Sequence, residues 1–344
     1  MEIQSDLTRD ITKDKVTATG IKVAAIGGGT GLAMVLSGLK AYVDARSIDP
    51  VIASLSAIVA VTDDGGSSGR LRNELQMPPP GDIRNCIVAL SEDAALLSRL
   101  FQYRFRGNGG VGGHSFGNLF LAALSEMTGD FSEAVRISSE ILASKGRIYP
   151  ASISDVRIGA ELADGTVIHG ETSVGTVGRR ITRLFVEPAD CQPHPEAIAA
   201  IESADLITVG PGSLFTSLLP PLMVRGIADA ISQAKGLKIF ICNLMTQPGE
   251  TDGLTARRHL EIVREYLPRL HFDRIIVNKT PITSEQSEKY AQDGAEQIGV
   301  HGSMSNTEID GTRVLHEDIL ARGDLVRHDA KKLAAILMKT VLER

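Results

Sequence analysis

Apolar residues in this chain fall into short blocks rich in β-branched side chains, separated by longer stretches of helical period. The blocks at 21–26, 51–61, 205–209, 237–242 and 274–277 have the pattern of buried strands. Helical spacing appears at 32–43, 82–91, 94–105, 115–127, 131–143, 221–233, 251–266 and 328–342. Pro78-Pro79-Pro80 marks a stiff, non-helical entry to the helix at 82. Strand and helix alternation predicts an α/β fold, a mostly parallel sheet with helices on both faces. The stretch 147–187 has a different texture. It alternates apolar and polar residues, and Asp164-Gly165 is a hairpin signal between 156–162 and 167–171. A small inserted antiparallel β element is expected there. Residues 1–19 read as a polar tail, leaving 20–344 as one α/β domain.

Charge and composition narrow the function classes. A net charge of −6 argues against a nucleic-acid binder working by bulk charge, and the absence of Trp argues against a base-stacking surface. No apolar run reaches the length of a membrane span, and the N-terminus has no apolar signal core. Cys86, Cys191 and Cys242 are odd in number and far apart, as expected of reduced thiols in a cytoplasmic protein. Cysteine and histidine spacings give no zinc pattern, and no Gly-x-Ser-x-Gly elbow is read. Glu187, Asp190 and His194 lie in a Pro-rich connector and read as surface residues. A homodimer is the expected assembly for an α/β protein of this size.

The chemistry concentrates in loops at predicted strand ends, where open α/β sheets gather their ligands. Gly27-Gly28-Gly29-Thr30-Gly31 joins the first strand to a helix. Without side chains in the way, main-chain N–H groups there can crowd around an anion, and the helix dipole adds to the attraction. The third slot of the dinucleotide fingerprint is Leu32, not Gly, so the loop departs from the NAD motif, although NAD would offer the same pyrophosphate. After the second strand, Asp63 and Asp64 stand beside Gly65, Gly66, Ser67, Arg70 and Arg72. Carboxylates there can hold a ribose hydroxyl, a magnesium ion or a reacting proton, and the Ser and Arg groups can hold phosphate oxygens. His114 and Ser115 open a later helix, with Asn118 one turn inside on the same face. Gly210-Pro211-Gly212-Ser213, followed by Thr216, forms a second anion-binding loop by composition. Asn243, Thr246 and Gln247 supply neutral donors and acceptors suited to a base or sugar.

Taken in order, these loops and the run Pro79-Pro80-Gly81-Asp82-Ile83-Arg84-Asn85 resemble the gluconeogenesis factor family (YvcK type), relatives of the CofD-type 2-phospho-L-lactate transferases. The similarity runs over about 21–342. It implies a Rossmann-like fold and a UDP-sugar ligand such as UDP-N-acetylglucosamine. It also implies a role in cell shape and wall synthesis on gluconeogenic carbon sources, through a partner in cell-wall growth. By the same resemblance, Tyr290 and Arg327 would close over the sugar nucleotide. The transferase branch implies an alternative: Asp63 and Asp64 acting catalytically, with magnesium, while a phospholactyl group moves from a nucleotide-activated donor to a deazaflavin precursor.

Overall fold

The computed structural model describes residues 20–44, 51–92, 96–107, 109–299 and 307–344, so the expected tail at 1–19 lies outside the described residues. Strand β1 (Ile21–Gly27) runs into helix α1 (Gly29–Leu39), which a 3-10 turn extends at Lys40–Tyr42. Strand β2 (Ile52–Val59) is followed by α2 (Gly66–Leu75), α3 (Gly81–Leu90), α4 (Leu96–Gln102), α5 (Phe116–Thr128) and α6 (Phe131–Ile141). Next come β3 (Arg147–Pro150), β4 (Arg157–Leu162), β5 (Val167–His169), α7 (Glu171–Thr176), β6 (Ile181–Glu187), α8 (Pro195–Glu202) and β7 (Leu206–Val209). A π-helical turn (Leu214–Leu218) leads into α9 (Leu219–Met223) and α10 (Ile227–Gln233). The chain ends through β8 (Leu237–Ile241), α11 (Ala256–Tyr266), β9 (Arg274–Asn278), α12 (Ser284–Gln292), β10 (Glu308–Ile309), β11 (Thr312–Glu317) and α13 (Ala330–Leu342).

The main sheet has the order β10-β11-β9-β8-β7-β1-β2-β3, and all neighbours are parallel except β10 and β11. Strand residues alternate between two cores. Val23 and Ala25 of β1 face the core built with α1, α3 and α13, while Ala24 and Ile26 face the core built with α8 to α11. That alternation explains the unbroken apolar runs in sequence: both sides of each central strand are covered. β4, β5 and β6 form the separate antiparallel sheet. Among the described residues, no single helix is long and apolar enough to cross a membrane.

Several expectations are corrected. Residues 147–150 do not belong to the inserted element; they form the edge strand of the main sheet, beside β2. The expected helix at 221–233 is two helices, broken at Gly226, whose φ of +85° no helix carries. Residues 167–171 are strand only to His169, and α7 follows. The connector after 187 contains α8, and His194 at its start is buried, with Nδ1 2.8 Å from a Glu196 carboxylate oxygen. Helix α12 and strands β10 and β11 carry too few apolar positions to register as periodic.

Candidate functional site

From β1 the chain moves outward to β2 on one side, and it returns to β7 on the other. The crevice outside the carboxyl ends of β1 and β7 is therefore the topological switch point, the ligand position of open α/β sheets. The glycine loops named above lie there. Ala60 N donates to Gly27 O (2.8 Å) and Gly210 N to Ile26 O (3.1 Å), so both neighbours stay paired to the end of β1. The two loops then touch. A Cβ on Gly31 would lie 2.1 Å from Pro211 O and 3.4 Å from Gly212 Cα, and only a glycine permits that approach. Thr30 is exposed at the mouth.

The two loops are fastened by the protein's own polar groups. Asn243 Nδ2 donates to Gly212 O (2.7 Å), and Gly212 N donates to Asn243 Oδ1 (3.0 Å). The amide expected to read a base or sugar thus clamps the loop after β7. Ser213 Oγ accepts from Thr216 N, and Glu250 Oε1 accepts from Ser213 Oγ and from Phe215 N (2.8 Å). Burial pushes the Glu250 carboxyl upward, and those donors pull it back. Likewise Asp82 Oδ2 accepts from Gly29 N at 2.6 Å, so a carboxylate of α3 already sits against the first turn of α1. Burial raises the Asp82 pKa to about 6, with Gly29 N opposing the shift and Asp63 adding to it.

The segment after β2 departs most from expectation. Residues 62–72 read as a loop, yet 66–75 is the helix α2, which buries Leu71 and Arg72. Arg72 is not a phosphate donor: Nε bonds Asp155 Oδ1 (2.8 Å) and Nη2 bonds Val156 O. Gly65-Gly66-Ser67-Ser68-Gly69 does have the Gly-x-Ser-x-Gly spacing, contrary to the sequence reading. Ser67, however, lies on the first turn of α2, and its hydroxyl accepts from Asn118 Nδ2 (2.9 Å) and meets His114 Nδ1 (2.9 Å). Burial, then Arg70, lowers the His114 pKa, favouring the neutral ring. Ser115 caps α5 by accepting from Asn118 N, so the expected Ser115–Asn118 face is real. Arg70 Nη2 donates to Gly112 O (2.6 Å) and braces the segment that carries His114.

Helix α7 lies across these loops. Asp64 Oδ1 accepts from Thr172 N (2.9 Å) and Thr172 Oγ1 (2.7 Å); Thr62 Oγ1 donates to Glu171 Oε2 (3.0 Å). Gly175 lies against Thr216, and beyond α7 a Cβ on Gly249 would lie 2.6 Å from Gly178 Cα. Glu171 was missed in sequence because it follows a hairpin of alternating apolar and polar residues with no motif around it. Burial pushes its carboxyl well up, reinforced by Asp82 and Asp63. Asp63 Oδ1 accepts from Gly65 N (2.9 Å). Among the described residues, no group of three or more His, Cys, Asp or Glu side chains is arranged to hold a metal.

Other anticipated residues are more dispersed. Thr246 is buried, with Oγ1 accepting from Glu296 N (2.8 Å). Thr251 Oγ1 accepts from Gln247 N, and Gln247 Oε1 is buried without a partner. Tyr290 lies beside the residue that precedes Arg327: Val326 N donates to Tyr290 Oη (3.1 Å). The next residue, His328, donates from Nε2 to Cys242 O (3.1 Å), which places Arg327 near the carboxyl end of β8. Burial lowers the His328 pKa to about 4. A cavity of ≈ 1160 Å³ between α11 and α12 is lined by Thr246, Leu254, Ile282 and Gln297. It includes none of the glycine-loop or Asp63 groups and is separate from the crevice at β1 and β7.

A family model described as "2-phospho-L-lactate transferase CofD" matches residues 23–320. The chain belongs to the CofD family. It is 42% identical over 323 residues to the gluconeogenesis factor of Bacillus subtilis, covering 94% of this chain and 98% of the relative. It is 44% identical to the gluconeogenesis factor of Halalkalibacterium halodurans, covering 92% and 95%. A crystal structure of a Bacillus halodurans protein, described as a member of the UPF0052 family, superposes with a TM-score of 0.85 at 43% identity, covering 93% of this chain and 99% of that one. Within the CofD family, the chain thus stands with proteins named gluconeogenesis factors.

Proposed function

We propose that this protein binds a nucleotide-diphosphate sugar, of the UDP-N-acetylglucosamine kind, and reports that state to a partner in cell-wall growth and cell shape. The observation that carries the reading is the contact of the β1 and β7 glycine loops at the switch point. Past Gly29 N, which Asp82 takes, the start of α1 offers a diphosphate main-chain donors and the helix dipole. Tyr290 and Arg327 would close over the sugar nucleotide. Asp63 and Asp64 would hold magnesium, for which one or two carboxylates plus phosphate oxygens suffice. The cytoplasm is the compartment that supplies such a ligand. Calorimetric titration with UDP-N-acetylglucosamine, with and without magnesium, tests the reading. Saturable heat is expected; no heat and no thermal shift at millimolar ligand would end it. Release of a nucleoside monophosphate from an activated phospholactyl donor, lost in Asp64→Asn, would move the protein to the transferase branch.

A further inference from the structure

Arg84 is a buried cation whose partners are neutral. Its residue is 8% exposed. Nη1 donates to Ser115 Oγ (2.6 Å) and Asn118 Oδ1 (3.1 Å), and Nη2 donates to Asn85 Oδ1 (2.8 Å). Nε is buried with no acceptor. Among the described residues no ion pair joins Arg84 to a carboxylate; Asp82 and Asp63 act on it only through space. Burying an unpaired guanidinium is costly, and an Arg fork suits a carboxylate or phosphate.

Its surroundings are shaped to hold it at one place. The guanidinium sits at the first turn of α5, where Phe116 N donates to Tyr103 O (2.8 Å) and Asn118 N to Ser115 Oγ (3.2 Å), so that Arg84 is the group there left in want of an anion. Gly117 makes room for the stem: a Cβ there would lie 2.8 Å from Arg84 Cδ and 2.9 Å from Cγ. The Asn118 amide orientation is set from both sides, because Nδ2 donates to Ser67 Oγ and Oδ1 accepts from Arg84. Asp82, on the same turn of α3, touches the start of α1 through Gly29 N. One turn of α3 therefore joins two helix N-termini, α1 and α5.

We propose that Arg84 is the seat of a second phosphoryl group, so that a diphosphate lies with one phosphate at α1 and the other against the Arg84 guanidinium. This rests on the diphosphate reading above and adds the residue that demands charge at the second position. Uridine, which lacks phosphate, gains nothing from Arg84.

The test uses the full chain and two probes, inorganic pyrophosphate and UDP-N-acetylglucosamine, with uridine as the uncharged control. In wild-type protein labelled with 15N-arginine, saturating pyrophosphate should shift one Nε–H resonance, the one missing from Arg84→Lys. Arg84→Gln should lose about tenfold or more in pyrophosphate affinity, the loss of a charge-assisted hydrogen bond, with any uridine binding unchanged. If Arg84→Gln fails to fold, the wild-type resonance, assigned through the conservative Arg84→Lys, keeps the test valid. Pyrophosphate binding with no arginine Nε–H moved, or undiminished in folded Arg84→Gln, overturns the Arg84 seat and leaves the diphosphate reading standing. No binding of pyrophosphate or UDP-N-acetylglucosamine by wild type removes both.

Discussion

Gly31→Ala is the sharpest perturbation of the crevice, because two effects of opposite sign compete. Gly31 sits within α1, and its φ is outside the positive region, so alanine there meets no backbone strain. In an open helix the change would stabilise by about 1 kcal/mol through lower chain entropy in the unfolded state. Here the new methyl would lie 2.1 Å from Pro211 O and 2.9 Å from Pro211 C. The obstructing atoms are main chain, and Asn243 holds the adjacent Gly212 from both its N and its O. The loop after β7 must therefore move by more than an ångström or α1 must tilt. Overpacking of this kind costs about 1–3 kcal/mol. Taking the upper part of that range, because nothing flexible can yield, the net loss is about 1–2 kcal/mol. Urea unfolding at neutral pH measures it as a lowered midpoint with an unchanged slope. Titration of UDP-N-acetylglucosamine should show weakened binding in the same variant. Gly66→Ala is the control: φ is +43°, nothing lies within 4 Å, and any loss there is conformational alone. If Gly31→Ala were as stable as wild type or more so, the loops would not be in contact and the crevice as described would be wrong.

Other substitutions probe the surrounding braces. Asn243→Asp replaces a donor to Gly212 O by a carboxylate oxygen and should cost about 2–3 kcal/mol, with urea unfolding as the readout. The Asp82 pKa is raised from 3.8 to about 6, so the folded state holds its proton more tightly and stability falls as pH rises between those values, by up to about 3 kcal/mol. His328 acts in the opposite sense: lowered from 6.5 to about 4, it contributes stability that is lost as pH falls through the same window. Asp82→Asn should therefore be more stable than wild type near pH 7, and its advantage over wild type should grow as pH rises from about 4 to about 6; a parallel pair of curves would contradict the shift. Gly249→Ala and Gly226→Ala both place alanine at positive φ (+80° and +85°), but only the first meets Gly178. The extra destabilisation of Gly249→Ala should be about 1 kcal/mol or more, and equal losses would mean that the segment after α7 does not dock on the loop after β8.

The central strands and most of the helices were legible in the sequence because both faces of the sheet are covered. Two-sided burial writes itself as continuous β-branched runs, and one-sided burial writes itself as helical period. Where burial is weak the signal fades: α12 and β10 lie at the rim, and their residues are mostly polar. α2 was read as a loop since glycine and serine are poor helix formers, and its helix is held instead by the burial of Leu71 and Arg72 against distant chain. The site was legible in the same uneven way. Gly28 to Gly31 and Gly210 to Gly212 announce close backbone approach, since glycine tolerates what other residues cannot.

What the local pattern does determine, then, is that glycine loops end buried parallel strands, and hence that an anion-seeking edge exists. Which side chains stand free at that edge was decided only by packing. Asn243, Asp82 and Glu250 are spent on neighbouring backbone N–H and C=O groups, and Glu171 arrives from the inserted sheet 109 residues away from its partner Thr62. Arg84 was left buried beside neutral acceptors. The physical reason is one of range. Propensity and periodicity act over a few residues along the chain, whereas hydrogen-bond pairing and desolvation depend on neighbours that only the folded sheet brings together.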